Sequence, residues 1–139
     1  IKAIGKIQSQ STSNPSSISQ AAAVEALNGN QGFIKKRSQA FKERRDFVVK
    51  SLNAIKGINC LTPNGAFYVF PSCRGLLNKK TKIKTDTEFV QKLLEQSNVA
   101  VVQGSAFGLD GYFRISYATS MKNLKKAMER IKIFCESLS

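Results

Sequence analysis

The 139-residue sequence has no histidine, no tryptophan and only three cysteines. Without histidine, no Ser-His or Cys-His nucleophilic pair can form. Cys60, Cys73 and Cys135 are an odd number and lack the short spacing of metal ligands, so we predict no metal site. Isolated cysteines fit a reducing compartment, and we therefore expect a cytoplasmic protein.

Long apolar runs are also missing. No run approaches the roughly 20 residues that a membrane-spanning helix requires, so we expect no membrane partner. Residues 1–10 lack the apolar core of a signal peptide. Because the chain also has no initiator methionine, we expect it to be a processed product or a fragment of a longer protein.

Positive charge is in excess, since 22 Lys and Arg residues against 9 Asp and Glu residues give a formal charge of +13. A basic loop with Lys79, Lys80, Lys82 and Lys84 could bind nucleic acid in a salt-dependent way. However, the basic residues are spread over helical stretches, and this loop lacks stacking aromatic residues. We expect no nucleic-acid partner, and a basic nucleic-acid-binding module remains the alternative from another functional class.

The first part of the chain is predicted to be an arm followed by helices. We predict an irregular arm over residues 1–15, because residues 9–15 are polar and rich in turn formers. Ser16 or Ser17 can cap a helix that continues to Leu27. A long helix over residues 31–55 is predicted from an apolar face with helical spacing, formed by Ile34, Phe41, Val48, Leu52 and Ile55.

Three or four short strands and two helices are predicted after Gly57. The strand candidates are residues 58–61, 66–70, 99–102 and 112–117. Residues 85–88, Thr-Asp-Thr-Glu, have capping-box form and begin one helix, and Ser120 caps the other. We interpret Asp86 and Glu88 as favourable charges at a helix N-terminus. The predicted fold class is α+β, with a small, mostly antiparallel sheet packed with helices.

Arg114 is unusual because it lies within an apolar and aromatic strand. Its neighbours Phe113 and Ile115 occupy the opposite face of that strand. An unpaired guanidinium is costly to bury, so Arg114 should reach water or bind an anion, and its planar fork suits a carboxylate. The alternative is an arginine on an edge strand that points to solvent.

Four segments resemble, in order, the motifs of class I (fold type I) pyridoxal-phosphate-dependent aminotransferases. Residues 63–68 are similar to P-x-G-A-F-Y, residues 99–108 to V-A-V-x-P-G-x-x-F-G, and residues 113–118 to [FV]-R-[IL]-S-[YF]-A. Residues 9–15 resemble the Q-S-x-[TS]-S-[NP] arm of the bacterial aspartate aminotransferase branch. Gln103 stands where the family commonly has proline, so we expect a less restricted loop before Phe107.

The resemblance implies three regions in the chain. Residues 1–30 would be the C-terminal remnant of the large cofactor-binding domain and a dimer-interface arm. Residues 31–56 would form a long interdomain helix, and residues 57–139 the small C-terminal domain. The fold would then be the α+β small domain of an aminotransferase.

The resemblance also implies the site residues. Arg114 takes the place of the family's ligand for the substrate α-carboxylate, and Phe67 that of an aromatic residue lining the substrate pocket. A plain core aromatic is the alternative for Phe67. The arm residues expected at the dimer interface, near the partner subunit's active site, are Ser11, Thr12, Ser13 and Asn14. A turn or a helix cap is the alternative for the last two.

By the same resemblance, the parent enzyme is expected to be a homodimer that transfers an amino group between L-aspartate and 2-oxoglutarate with pyridoxal 5'-phosphate. An aromatic or prephenate aminotransferase is the alternative within the family. The family's Schiff-base lysine context, S-[KR]-x-[FY]-x-[ML]-x-G-x-R, does not occur in this sequence. We therefore expect the missing N-terminal part to bind the cofactor, and we expect neither a catalytic residue nor activity in this chain alone.

Overall fold

The computed structural model of the chain describes residues 1–78, 80 and 82–138. The chain divides into two compact units, Ile1–Lys36 and Arg37–Ser139. The helices are α1 (Lys2–Ser11), α2 (Ser17–Asn28), α3 (Gly32–Asn53), α4 (Asp86–Ser97) and α5 (Met121–Ser137). The strands are β1 (Tyr68–Val69), β2 (Val102–Gln103) and β3 (Phe113–Ser116), and short 3₁₀ turns cover Arg74–Leu76 and Gly104–Phe107.

The first unit is more helical than predicted. An irregular arm over residues 1–15 is wrong, because α1 covers most of that segment. The polar side chains that favour a loop instead bond back to helix carbonyls: Ser11 Oγ to Ile7 O at 2.7 Å, and Thr12 Oγ1 to Gln8 O at 2.8 Å. The helix predicted after Ser16 is confirmed as α2, although the Ser16 side chain makes no capping hydrogen bond.

The long helix predicted over residues 31–55 is confirmed as the 22-residue α3. Its last turns bury Val48, Val49 and Leu52 in the second unit. The Asn53 side chain closes the helix end, since its Nδ2 donates to Cys60 O at 2.9 Å and its Oδ1 accepts from Cys60 N at 2.8 Å. This two-point contact fixes the direction of the chain as it leaves the helix.

The second unit contains a three-stranded antiparallel sheet with the order β1-β3-β2, which confirms the α+β prediction. The strands are shorter than predicted. Residues 58–61 form no strand and pair only through an isolated bridge between Asn59 and Ser72. Ala66, predicted within a strand, has a φ of 60°, which is outside the extended region and delays β1 to Tyr68.

Helices α4 and α5 pack on one face of this sheet. The Phe89 ring of α4 lies 5.1 Å from the Phe113 ring of β3 and 5.5 Å from the Phe134 ring of α5. The predicted helix starts are confirmed, because Thr85 Oγ1 accepts from Glu88 N at 3.1 Å and Ser120 Oγ accepts from Asn123 N at 3.2 Å. None of the described helices is both long and apolar enough to cross a membrane.

Strand β3 has the two faces that its sequence predicts. Phe113, Ile115 and Tyr117 are buried in the core beneath the sheet. Arg114 and Ser116 alternate with them and therefore lie on the opposite face of the strand. The Arg114 side chain is thereby directed away from the core.

Candidate functional site

Arg114 lies between two aromatic rings on the outer face of the sheet. Its Cζ is 4.5 Å from the centre of the Tyr68 ring and 4.4 Å from the centre of the Phe107 ring. The edge-strand alternative for this arginine is wrong, because β3 is the central strand of the sheet. Within the described residues, no carboxylate forms an ion pair with Arg114. Both distances are within the range of cation–π contacts, and the hydrogen-bond donors of the guanidinium suit an anion.

The sheet register determines the position of the first of these rings, that of Tyr68. Tyr68 on β1 pairs with Ser116 on β3, and side chains of paired residues share a face. Val102 on β2 pairs with Arg114 itself. Phe67 precedes β1, contacts the Tyr68 ring at 4.3 Å and is 41% exposed, so it is not a core aromatic.

The second ring comes from the loop Gly104–Gly111. Gly104 is buried, and a Cβ there would meet Tyr112 O at 2.8 Å, so only glycine fits this close backbone approach. Gly108 ends the 3₁₀ turn with a φ of 75°. Gln103 has a φ of −63°, the value that proline would impose, and the less restricted loop expected from its lack of a ring stays a prediction.

Sequence reasoning missed the role of Asp86. This side chain is 3% exposed, and its Oδ2 accepts a hydrogen bond from Ser105 N at 2.7 Å. An acidic residue in the first turn of a helix is already explained by the helix dipole. The sequence therefore carried no signal that this carboxylate also binds a loop 19 residues away.

A row of rings continues from Phe107 to the edge of the loop. Phe70 lies 5.9 Å from the Phe107 ring and 5.8 Å from the Tyr112 ring, and the Arg74 Cζ lies 5.0 Å above Tyr112. Arg74 Nε and Nη2 also donate to Asp110 O at 3.3 and 3.1 Å. We call the set of Tyr68, Arg114, Phe107, Phe70, Tyr112 and Arg74 the aromatic row.

The predicted arm residues lie in the first unit. Ser11, Thr12, Ser13 and Asn14 are all exposed. Ser11 ends α1 and Thr12 is its C-cap residue, and both hydroxyls are occupied by helix carbonyls. Their assignment to a dimer interface stays a prediction.

None of the lysines among the described residues is fully buried. All of them are exposed except Lys92, which is half-buried on α4. A lysine that forms a Schiff base is activated by desolvation or by a neighbouring cation in a pocket. In the basic loop Lys80, Lys82 and Lys84 are exposed, and Lys79 lies outside the described residues. Within the described part of the chain, no three possible metal-ligating side chains cluster.

The three thiols are buried and unreactive. Burial raises the pKa of Cys60 to about 11, and burial together with the nearby Asp86 carboxylate raises the pKa of Cys73 to about 12. Burial likewise raises the pKa of Cys135 to about 12. Because a thiolate is the reactive form of cysteine, these residues are structural rather than nucleophilic.

Comparison with known proteins places these features in a family. The sequence profile of the family described as "Aminotransferase class I and II" matches residues 1–131. The chain is 59% identical to an aspartate aminotransferase of Rhizobium meliloti (strain 1021), covering 100% of this chain and 35% of that protein. It is 52% identical to an aspartate/prephenate aminotransferase of Cereibacter sphaeroides, covering 100% of this chain and 36% of that protein.

A solved structure agrees with the sequence comparisons. The crystal structure of the aspartate aminotransferase from Rhizobium meliloti superposes with a TM-score of 0.92 at 58% identity, covering 99% of this chain and 36% of that one. The chain spans about a third of the length of the curated relatives it matches.

Proposed function

We propose that this chain, which belongs to the aminotransferase class I and II family, supplies the substrate-carboxylate site of an aspartate aminotransferase. The whole protein would transfer an amino group between L-aspartate and 2-oxoglutarate. Residues 57–139 would be its small domain, residues 31–56 the interdomain helix, and residues 1–30 the end of the large domain. The name of the Rhizobium meliloti relative and the position of Arg114 beside the Tyr68 and Phe107 rings support this proposal.

The geometry of Arg114 carries the proposal. Every amino-acid and 2-oxo-acid substrate presents an α-carboxylate, and a guanidinium binds a carboxylate with two parallel hydrogen bonds. Contacts with the Tyr68 and Phe107 rings would restrain the guanidinium and so favour one orientation of a bound carboxylate. A carboxylate held in this way orients the adjoining Cα for proton transfer.

Phe67 is the second substrate contact in the proposal. It is 41% exposed beside Tyr68, on the segment that leads into β1. An exposed aromatic ring next to a carboxylate site suits an apolar wall that excludes water from the bound substrate. We assign Phe67 to that wall.

The family generally uses pyridoxal phosphate, which supplies an electron sink for amino-group transfer. The exposed lysines of this chain do not fit its attachment, so we derive no step through the cofactor here. We propose that the cofactor binds mainly to the remaining two thirds or so of the protein's length. The 139-residue chain alone is then expected to have no transaminase activity.

The first unit fits a role in assembly. Ile4, Ile7 and Ile18 are exposed apolar residues on α1 and α2, and such side chains are suited to packing against another surface. We propose that Ser11, Thr12, Ser13 and Asn14 lie at a homodimer interface near the partner subunit's active site. We also propose a cytoplasmic location, in keeping with three free cysteines.

Substitution of Arg114 in the whole protein tests the central assignment. Arg114→Ala is expected to lower kcat/KM by about a hundredfold or more for every amino acid tried, since it removes charge-assisted bonds to a group that all substrates share. Arg114→Lys should recover only part of the loss, because lysine has no planar fork. Arg130→Ala on α5 is the matched control and should remain within about twofold of the wild type. An active enzyme in which Arg114→Ala behaves like that control would remove Arg114 from the substrate site.

A wider substrate range is the second candidate function. The relative from Cereibacter sphaeroides carries the name aspartate/prephenate aminotransferase, and it is 52% identical to this chain. Transamination of prephenate and of 2-oxoglutarate by the whole protein, measured with the same amino donor, distinguishes the two specificities. A kcat/KM for prephenate within about tenfold of that for 2-oxoglutarate would favour the aspartate/prephenate function.

A further inference from the structure

We propose that Asp86 and Arg74 are positioning residues of the carboxylate site, acting through the loop Gly104–Gly111 that carries Phe107. Among the hydrogen bonds and ion pairs of the described residues, none joins either residue to Arg114. Each instead binds the loop backbone on one side of Phe107, Asp86 at Ser105 and Arg74 at Asp110. The consequence for substrate binding rests on the proposed function, whereas the consequence for loop geometry does not.

The Asp86 anchor is strong because its carboxylate is buried. A carboxylate that is 3% exposed loses most of its contact with water and needs hydrogen-bond donors in the protein. Among the described residues, its donor is Ser105 N at 2.7 Å, a short charge-assisted bond. The hydroxyl groups of Thr87 and Ser105 lie 3.5 Å apart and tie the same two segments together. Movement of the loop away from α4 would leave a buried charge without this partner.

The Arg74 anchor holds the other end of the loop. Two of its guanidinium nitrogens donate to the single carbonyl of Asp110, at 3.3 and 3.1 Å. Its side chain also lies against Gly111, where an added Cβ would meet Arg74 Nε at 2.9 Å. The φ of 78° at Gly111 gives the chain the turn that brings it under this side chain.

Phe107 depends on these anchors because its ring is half-exposed. It is 49% exposed, and its ring contacts are Phe70 at 5.9 Å and Arg114 at 4.4 Å. A half-exposed ring with one aromatic neighbour gains too little from burial to fix a loop. The anchors at Ser105 and Asp110 therefore act together with the backbone hydrogen bond from Gly104 N to Tyr112 O at 2.7 Å to hold Phe107 near the guanidinium.

The Arg114 Nε–Hε resonance of the 139-residue chain tests the geometric step. Two nearby rings should shift this resonance, and Phe107→Leu provides the reference for loss of one ring. We expect Asp86→Asn and Arg74→Met to move the resonance toward that reference. The matched controls, Glu88→Gln in the same helical turn and Arg130→Met on α5, should leave it in place. Because Arg74 is exposed, Arg74→Met is expected to fold even if Asp86→Asn does not.

Succinate affinity and kinetics of the whole protein test the consequence for the site. Asp86→Asn and Arg74→Met should weaken succinate binding and raise KM by about threefold to tenfold, the range of one cation–π contact, with a smaller change in kcat. Arg74→Lys, which retains the charge, should recover part of the loss. An unmoved Arg114 resonance, or a moved resonance with unchanged succinate affinity, overturns the proposal. If Arg114→Ala still abolishes activity in that case, the proposed function stands without it.

Discussion

The two units of the chain differ in what holds them together. In the first unit, neither α1 nor α2 buries a residue, and the apolar side chains Ile4, Ile7, Ile18, Val24 and Leu27 are all exposed. In the second unit, side chains from α3, α4, α5 and β3 close around a shared core. Helical periodicity is thus present in both units, but only the second has side chains from distant parts of the sequence to bury.

The contrast indicates which unit is self-sufficient. Isolated helices of 10 and 12 residues, the lengths of α1 and α2, are marginal in water, because few internal hydrogen bonds offset the cost of nucleation. The second unit adds burial of large side chains such as Phe89 and Phe113. We therefore expect the first unit to need another surface, which the proposed whole protein would provide.

Hydrogen exchange of the 139-residue chain should show the largest difference between the units. We expect amides of α1 and α2 to open with free energies below about 1 kcal/mol, and those of β3 to approach the global value of about 5 kcal/mol or more. In the whole protein, α1 and α2 should gain protection while β3 changes little. Equal protection of α1 and β3 in the isolated chain would show that the first unit is stable without a partner.

Truncation of apolar side chains should lower the free energy of unfolding more in the second unit than in the first, although this difference is smaller than that in hydrogen exchange. Phe113→Ala is expected to lower the free energy of unfolding by about 3–5 kcal/mol, since it leaves a cavity beside Phe89. Ile7→Ala, which shortens a side chain that is already exposed, should change it by less than about 0.5 kcal/mol. Denaturant titration of the isolated chain measures both. A large loss from Ile7→Ala would mean that α1 packs more tightly than its exposure indicates.

Much of the second unit could be predicted because its signals are local. The spacing of Val48 and Leu52 predicts α3, the capping residues Thr85 and Ser120 predict α4 and α5, and alternation along β3 predicts the face that bears Arg114. Each of these signals lies within a few residues of the element it specifies. The prediction of a strand at residues 58–61 is wrong, because strand formation also requires a continuous pairing partner and this segment has only a single bridge.

The geometry of the candidate site depends on contacts between residues that are far apart in the sequence, and these contacts could not be predicted from local patterns. In our proposal, the contact of Phe107 with Arg114 depends on Asp86 and Arg74, which bind the loop from 19 and 36 residues away in the sequence. The residue types do not predict these contacts, since acidic residues are common at helix starts and arginines are common on surfaces. The resemblance to aminotransferase motifs located Arg114 but carried no information about what holds the surrounding rings.

Alkaline pH should destabilise the second unit and leave the first unaffected, because all three cysteines are in the second. Burial raises the pKa of Cys73 and Cys135 from 9.0 to about 12, so the folded state retains thiol protons that the unfolded state loses. The free energy of unfolding should therefore be unaffected by these groups below pH 9 and should fall between pH 9 and about 12. The expected slope is about 1.4 kcal/mol per pH unit for each buried thiol.

Urea titrations at several alkaline pH values measure this slope. Cys135→Ala should reduce it by the share of one thiol, and Lys125→Ala on the exposed side of α5 serves as the control. If the Cys135→Ala slope equals that of the wild type, the Cys135 thiol does not contribute to alkaline destabilisation.

Substitutions at the helix caps should give the smallest difference in stability between the two units. In the second unit, Thr85 Oγ1 accepts from Glu88 N at 3.1 Å, so Thr85→Ala should cost about 1 kcal/mol of stability. In the first unit, Ser16 is the N-cap residue of α2, but its side chain makes no cap hydrogen bond. Ser16→Ala should therefore change the free energy of unfolding by less than about 0.3 kcal/mol and leave the helical ellipticity unchanged. Thr85→Ser retains the hydroxyl and should recover most of the loss. Equal losses at Thr85 and Ser16 would mean that α2 is capped as firmly as α4, and that the two units differ in the core they bury and not in how their helices begin.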